Sequence, residues 1–265
     1  MLWTDVYQEL IPHRALQPFV DRFWTRTGPA APHADPIRIL PDGCIDIIVD
    51  CMRGGTDSVV GALTRALVFA PDTAVRLVGV RFRPGGAVPF LRIAADELTD
   101  TRCPCADLGV VDLVPPGLAQ IDDVARAARR FEASLLAKAT RLAPPDPRVQ
   151  YALQAIFAPS SPAIDQLARG LGWSRQHLAR MMRAHVGVGP KHLARTARLQ
   201  RAVMLLQRQP QANVADVAAA TGYFDQAHMA GDFRALVGAS PRSVLDARGS
   251  IFPIPSLFMR AGFAA

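Results

Sequence analysis

The sequence predicts an α+β chain of two domains, an antiparallel β-sandwich or barrel-like domain with a helical extension, followed by an all-α double helix-turn-helix. Three observations carry this expectation. Short β-type runs separated by tight turns fill the first half, one helical unit is written twice between Ser161 and Leu245, and basic charge is concentrated on the repeated part. At 265 residues, half of them hydrophobic, the chain is long enough for two packed cores. The expected boundaries are residues 1–115 for a β-rich sensing domain, 116–147 for a helix and proline-rich linker, 148–248 for the helical module and 249–265 for an apolar tail.

Tyr7 to Trp24 reads as irregular, broken by Pro12 and Pro18, with Phe19 to Trp24 the first expected strand and Gly28-Pro-Ala-Ala-Pro-His a loop. Further β-type runs follow at Ile37 to Leu40, Cys44 to Val49, Ser58 to Val60, Ala66 to Phe69 and Val75 to Phe82. Pro-Asp-Gly, Arg-Gly-Gly-Thr-Asp and Ala-Pro-Asp-Thr turns separate them, a spacing that suits an antiparallel sandwich or barrel. Along the last run Val78, Val80 and Phe82 share one face, and Gly79, Arg81 and Arg83 the other. Two arginines beside a glycine, with the backbone amides of Gly85-Gly86 nearby, suit an anion pocket, and Asp46, Arg81 and Arg83 are the expected ligand-binding residues. The favoured alternative is a strand face whose arginines meet Asp or Glu on a neighbour. Asp42 and Asp46 carry the same two readings, and turn chemistry accounts for Asp42-Gly43.

Cys103-Pro-Cys105 suggests a metal or redox pair, yet a zinc site needs about four ligands, and Cys44 and Cys51 belong to a distant strand region. Half-buried structural cysteines are the preferred reading, a regulatory dithiol the alternative, and no metal or cofactor is expected. Ile121 to Leu142 reads as a helix, with Asp122 and Asp123 in its first turn. Ile121, Val124, Ala128, Phe131, Leu135 and Leu142 lie near a heptad seam that packs either on the β-domain or, the slightly preferred reading, on its copy in a homodimer. Ala143-Pro-Pro-Asp-Pro147 is the linker, Arg148 to Phe157 a lead-in helix, and Ser161-Pro162 the cap and start of the first repeated unit.

In the first unit Ile164, Leu167, Ala168 and Leu171 form an apolar stripe, Gly172 ends the helix, Ser174 caps the next, and Leu178, Met181 and Met182 form its stripe. The second repeats this with Val214, Val217, Ala218, Thr221, Gly222, Met229, Phe233, Leu236 and Val237. The first glycines, Gly172 and Gly222, are 50 residues apart and the second, Gly187 and Gly238, 51 apart, so the second unit has gained one residue. Left on the outer face of the first unit are Arg175, Gln176, His177, Arg180 and Arg183, the residue types that read base edges and phosphates. Residues 148–248 hold 13 Lys and Arg against 5 Asp and Glu, net +8. The rest of the chain holds 17 against 18, net −1, which makes the overall +7. Charge placed this way is the electrostatic footprint of a nucleic-acid-binding module.

Leu167-Ala168, Gly172-Trp173-Ser174, Gly187-Val-Gly-Pro190, Arg198, Leu205-Leu206, Gly222-Tyr-Phe-Asp-Gln-Ala-His-Met229, Phe233-Arg234 and Gly238-Ala-Ser-Pro241 together resemble the DNA-binding domain of AraC-type transcriptional regulators. The resemblance covers about a third of the chain. It implies two helix-turn-helix subdomains joined by a long helix, Lys191 to Gln207, with both recognition helices in adjacent major grooves of double-stranded DNA. The DNA-contacting positions it implies are Ser174, Arg175, Gln176, His177, Arg180 and Arg183 in the first subdomain, and Asp225, Gln226, His228 and Arg234 in the second. Where such regulators usually carry Ser, Phe and Arg this chain has Ala227, Met229 and Gly231, so the second helix is expected to grip DNA more weakly. Leu40-Pro-Asp-Gly-Cys-Ile-Asp46 and Gly79-Val-Arg-Phe-Arg-Pro-Gly-Gly86 resemble an uncharacterised β-rich domain that precedes AraC-type modules in bacterial regulators.

The expected function is therefore sequence-specific transcription regulation, with a small-molecule effector, a second copy of the chain and RNA polymerase as further partners. The alternative is a DNA-acting repair enzyme of alkyl-transfer type. That would call for a Pro-Cys-His-Arg setting or an N-terminal four-cysteine cluster, and neither is written in the sequence, nor is any catalytic triad, carboxylate pair or phosphate loop. Met1-Leu-Trp-Thr-Asp does not read as a secretory signal and no run of eighteen apolar residues occurs, so a cytoplasmic, non-membrane protein with reduced cysteines is expected. The proline-broken apolar tail, Ile251 to Met259, is expected to pack on a domain surface.

Overall fold

The structure, a computed structural model, describes residues 6–30, 37–52, 55–69 and 73–246. Its strands in chain order are β1 (Val6–Leu10), β2 (Val20–Gly28), β3 (Ile37–Ile39), β4 (Ile45–Asp50), β5 (Asp57–Val60), β6 (Leu67–Phe69), β7 (Val75–Phe82) and β8 (Arg102–Pro104). The helices are α1 (Val88–Leu91), α2 (Val124–Ala139), α3 (Pro147–Phe157), α4 (Ile164–Gly170), α5 (Arg175–Val186), α6 (Pro190–Arg208), α7 (Val214–Ala220), α8 (Gln226–Val237) and α9 (Pro241–Asp246). Short 3-10 turns stand at Ala95–Leu98 and Val111–Leu113. Residues 1–5 and the apolar tail lie outside the described residues.

Six strands form one antiparallel sheet in the order β1-β2-β7-β4-β5-β8, and β3 pairs with β6 in a separate ribbon. The edge strands β1 and β8 do not pair with each other, so the sheet is open and not a closed barrel. Alternation sends Ile45, Ile47, Val49, Val78, Val80 and Phe82 to one face, all buried in the N-terminal core. Each large apolar side chain there contributes about 1.5–3 kcal/mol by leaving water. The strands β1 and β8 went unread in the sequence because Val-Tyr-Gln-Glu-Leu and Arg-Cys-Pro are short, mostly exposed edges with little alternation.

The inner face is covered by α2. Its Ala128, Phe131 and Leu135 are buried in the sheet core, with Ile121, Val124 and Leu142 packed at its margin, and the rings of Phe23 and Phe131 meet edge to face at 6.0 Å. The expected coiled-coil seam is thereby corrected: its central residues are used inside the monomer. An open sheet with an apolar inner face needs a cover, and a helix on the same chain supplies it without the entropy cost of association. The helix starts later than expected because Asp123 is its cap, accepting from the amides of Ala125 and Arg126 at 2.9 and 3.1 Å.

The outer face explains the arginine strand. Trp24 of β2 lies across Gly79, so closely that any Cβ there would collide with the indole, and its Nε1 donates to Asp46 at 2.8 Å. Arg81 faces Asp46 in register, with Nε 3.3 Å from both carboxylate oxygens, and its Nη1 is 3.7 Å from Asp42. Burial opposes the Arg81 charge, but the two carboxylates outweigh it and hold the guanidinium firmly protonated. Arg83 donates from Nε to the Val20 carbonyl at 3.4 Å. Gly86 is pressed against the Phe19 carbonyl and its amide already donates to Arg83 O at 2.8 Å, so close backbone packing accounts for this glycine.

The linker does not separate the domains. Leu40 is buried in the core of the second helix-turn-helix unit beside Leu199, Val203, Leu206 and Phe233, and Gln200 Nε2 donates to the Pro41 carbonyl at 2.6 Å. Thr99 Oγ1 donates to Gly187 O at 2.7 Å, and the Ala66 amide to Leu236 O at 2.7 Å. The N-terminal domain thus holds the C-terminal ends of both α5 and α8.

Candidate nucleic-acid interface

Two helix pairs, α4 with α5 and α7 with α8, carry the repeated unit, and α6 joins them. Gly172 and Gly222 take the left-handed conformation, at φ +69 and +81 degrees, that L side chains rarely adopt. After each, an aromatic residue turns inward and returns its amide to the preceding helix: Trp173 to Ala168 O at 2.9 Å, Tyr223 to Ala218 O at 3.0 Å. Each recognition helix is then capped alike, Ser174 Oγ accepting from His177 N at 3.1 Å and Asp225 Oδ1 from His228 N at 2.7 Å. Such caps contribute about 1 kcal/mol apiece. The expected cap at Ser161-Pro162 is corrected: α4 begins after Ala163, which makes no side-chain cap bond.

Leu178, Met182 and Val186 bury one side of α5, and Met229, Phe233 and Val237 the same side of α8. Periodicity then turns the expected contact residues outward. On α5, Arg175, Gln176, Arg180 and Arg183 are exposed. Arg175 reaches back to Asp165 at 3.1 Å, a pair open to solvent and readily exchanged for a phosphate. His177 is half-buried with its ring against Trp173 and its Nδ1 3.0 Å from Arg180 Nη2, so it orients Arg180. On α8, Gln226, Ala227, His228 and Arg234 are exposed, and the His228 ring packs edge-on against Tyr223. Ser174 and Asp225 each spend a side-chain oxygen on the helix cap.

The cationic face is unequal. Where α5 has Arg180, α8 has Gly231, around whose backbone an added Cβ would meet nothing within 4 Å. An acid faces the joining helix instead: Asp232, buried, accepts from Arg195 at 2.8 and 3.0 Å and lies 3.7 Å from Arg198. Arg198 also stacks over Tyr223, as Arg148 does over Trp173. These supporting contacts escaped the sequence reading, as did those made by Leu40, Ala66 and Thr99, because their partners are far apart in the chain.

No group of three or more His, Cys, Asp or Glu suited to a metal ion occurs among the described residues. Burial raises the Cys44 thiol well above its ordinary value, raises Cys51, and pushes Cys105 up to about 12, the reverse of what a nucleophilic cysteine needs. The strands named as an anion pocket are filled by Trp24 and the Arg81 ion pairs. A cavity of about 680 Å³ lies instead on the helical side, between α1, the Val111–Leu113 turn and the last turns of α2, with Phe90, Leu91 and Leu113 among its apolar lining and Arg92, Lys138 and Arg141 among its charged lining. Among the described residues no helix is long and apolar enough to cross a membrane.

The geometry defines a double helix-turn-helix module docked on an antiparallel β-domain, and comparison with known proteins is consistent with both halves. Residues 167–247 match a helix-turn-helix domain family, and residues 8–104 match a domain of unknown function, DUF6597. The chain therefore carries a C-terminal helix-turn-helix domain of AraC type behind a DUF6597 domain. It is 34% identical over 105 residues to the HTH-type transcriptional regulator GlxA of Rhizobium meliloti (strain 1021), a match covering 37% of this chain and 32% of that protein. The alignment thus spans about a third of that relative's length. Among solved structures, the C-terminal domain of AraT, a response regulator from Geobacillus stearothermophilus, matches 39% of this chain and 87% of its own at 27% identity and a TM-score of 0.36. ToxT from Vibrio cholerae O395 matches 94% of this chain and 95% of its own at 11% identity and a TM-score of 0.40.

Proposed function

We propose that this protein is a sequence-specific transcription regulator that places α5 and α8 in adjacent major grooves of double-stranded DNA. The observation that carries the proposal is the repeated unit itself: two helices each preceded by a left-handed glycine, an inward aromatic residue and a side-chain cap, and each turning Arg, Gln and His side chains outward. Arg175, Gln176 and Arg180 then read base edges or phosphates from α5. Gln226, His228 and Arg234 do so with less charge from α8. Net +8 on the module supplies long-range attraction, and net −2 through residue 147 keeps the other domain off the phosphates.

Effector control belongs to the same proposal. The N-terminal domain bonds the ends of both recognition helices, so a small molecule that favours one arrangement of that domain alters how the helices are presented. The cavity beside α2 has the size of such a site. A homodimer would use a surface other than the buried centre of the α2 seam, and contact with RNA polymerase would follow DNA binding. Selection of bound sequences from random duplexes tests the core of the proposal. We expect a two-part motif with half-sites about one helical turn apart. Uniform weak binding with no enriched motif would overturn it.

A further inference from the structure

The second unit is one residue longer than the first, and the structure identifies the extra residue. Tyr223 takes the place of Trp173, with the same amide bond to the preceding helix, and Asp225 takes the place of Ser174, with the same cap. Between them stands Phe224, with no counterpart in the first unit. The inserted residue is forced outward: Tyr223 is 5% exposed, Phe224 92%. It is held there, since its amide donates to His228 Nδ1 at 3.4 Å and the next residue is the helix cap.

Single apolar side chains on a surface are ordinary. The position of this one is not, because it stands immediately before the first turn of α8, the end of a recognition helix that meets base edges. The exposed residues that follow, Gln226, Ala227 and His228, carry no fixed cation, and Asp225 is an acid. That edge therefore suits the floor of a groove better than a phosphate. In the major groove the apolar group that distinguishes one base from the others is the C5-methyl of thymine, and phenylalanine is among the side chains that contact it.

We infer that Phe224 is a specificity-determining residue that recognises a thymine methyl in the half-site under α8. The inference rests on the proposed DNA-binding function and deepens it: the second unit, short of cations, reads by apolar contact. The test uses the whole 265-residue chain and the motif recovered by selection, with each thymine under the second unit replaced in turn by deoxyuridine, which removes only the methyl. At one such thymine the wild type should lose about four-fold in affinity, the equivalent of the ~0.8 kcal/mol contributed by one buried methyl group. Phe224→Ala should weaken binding to the thymine duplex by at least as much, bind thymine and uracil duplexes equally, and keep the wild-type salt slope. Phe224→Leu should restore part of the discrimination, and unchanged thermal unfolding of both variants would confirm the fold. Wild-type indifference to every uracil substitution, or full discrimination retained by Phe224→Ala, would overturn the inference while leaving DNA binding intact. Failure to recover any motif would instead strike the underlying function.

Discussion

Gly187 and Gly238 close the two recognition helices at equivalent positions, both left-handed, at φ +92 and +72 degrees, yet their surroundings differ. A Cβ on Gly187 would lie 2.8 Å from Thr99 Oγ1, 3.1 Å from Ala95 O and 3.2 Å from the Ala62 Cβ, whereas one on Gly238 would meet nothing within 4 Å. The first unit therefore ends pressed into the N-terminal domain. The second is held by the Ala66 amide and by Leu40, which completes its core. Charge divides the same way: Arg175 and Arg180 on α5 stand where α8 has Gln226 and Gly231. Repetition of a backbone plan has not brought repetition of role. The first unit is placed firmly and carries the exposed charge, while the second depends on a borrowed apolar side chain and a buried acid.

The largest expected effect sharpens the contrast at the helix ends. Gly187→Ala combines left-handed strain with overpacking and should cost about 3 kcal/mol, against about 1 kcal/mol for Gly238→Ala. Denaturant unfolding of the two variants measures both, and equal costs would break the asymmetry. Next comes the buried acid. Asp232→Ala leaves Arg195 and Arg198 without their partner and should cost about 2 kcal/mol, less than a fully buried pair because Arg195 is more than a third exposed. The equivalent position in the first unit is the half-buried Met181, so Met181→Ala should be the milder change. A larger loss for Met181→Ala would show that the ion pair stabilises little.

In binding, Arg180→Ala should lower affinity about tenfold, roughly 1.4 kcal/mol, and Arg234→Ala less; titration at several salt concentrations separates a phosphate contact, which reduces the salt slope by about one, from a base contact, which relaxes one motif position. Equal effects of the two substitutions would contradict the unequal grip. The smallest effect is a gain. The space around Gly231 is open, so Gly231→Ala should stabilise α8 by somewhat under 1 kcal/mol, and Gly231→Arg should raise affinity a few-fold with a steeper salt dependence. An Arg at 231 that leaves the salt slope unchanged would place that face of α8 away from the phosphates.

Much of this contrast was legible in the chain. Repeated Gly, Pro and capping residues act over three or four neighbours, so α5, α6, α7, α8 and both turns fell within a residue or two of their expected places, and the long β-type runs became β2, β4 and β7. The inserted residue was countable from glycine spacing. Periodicity also gave an apolar seam from Ile121 to Leu142 and an arginine face on β7, but an apolar stripe states only that something must cover it, and an arginine only that charge must be met.

What the sequence by itself determined is accordingly local: the helices and their stops, the alternation of the strands, the repetition, and the concentration of positive charge on one domain. Only the tertiary structure decided that α2 covers the sheet, that Arg81 is consumed by Asp46 and Asp42 while Gly79 makes room for Trp24, and that Leu40, Ala66 and Thr99 fasten the β-domain to both recognition helices. The reason is physical. Turns, caps and helical faces are set by steric and hydrogen-bonding rules that act within a few residues, whereas the choice among several apolar or charged partners depends on which of them the folded chain brings within about 4 Å, and that is a property of the whole packing.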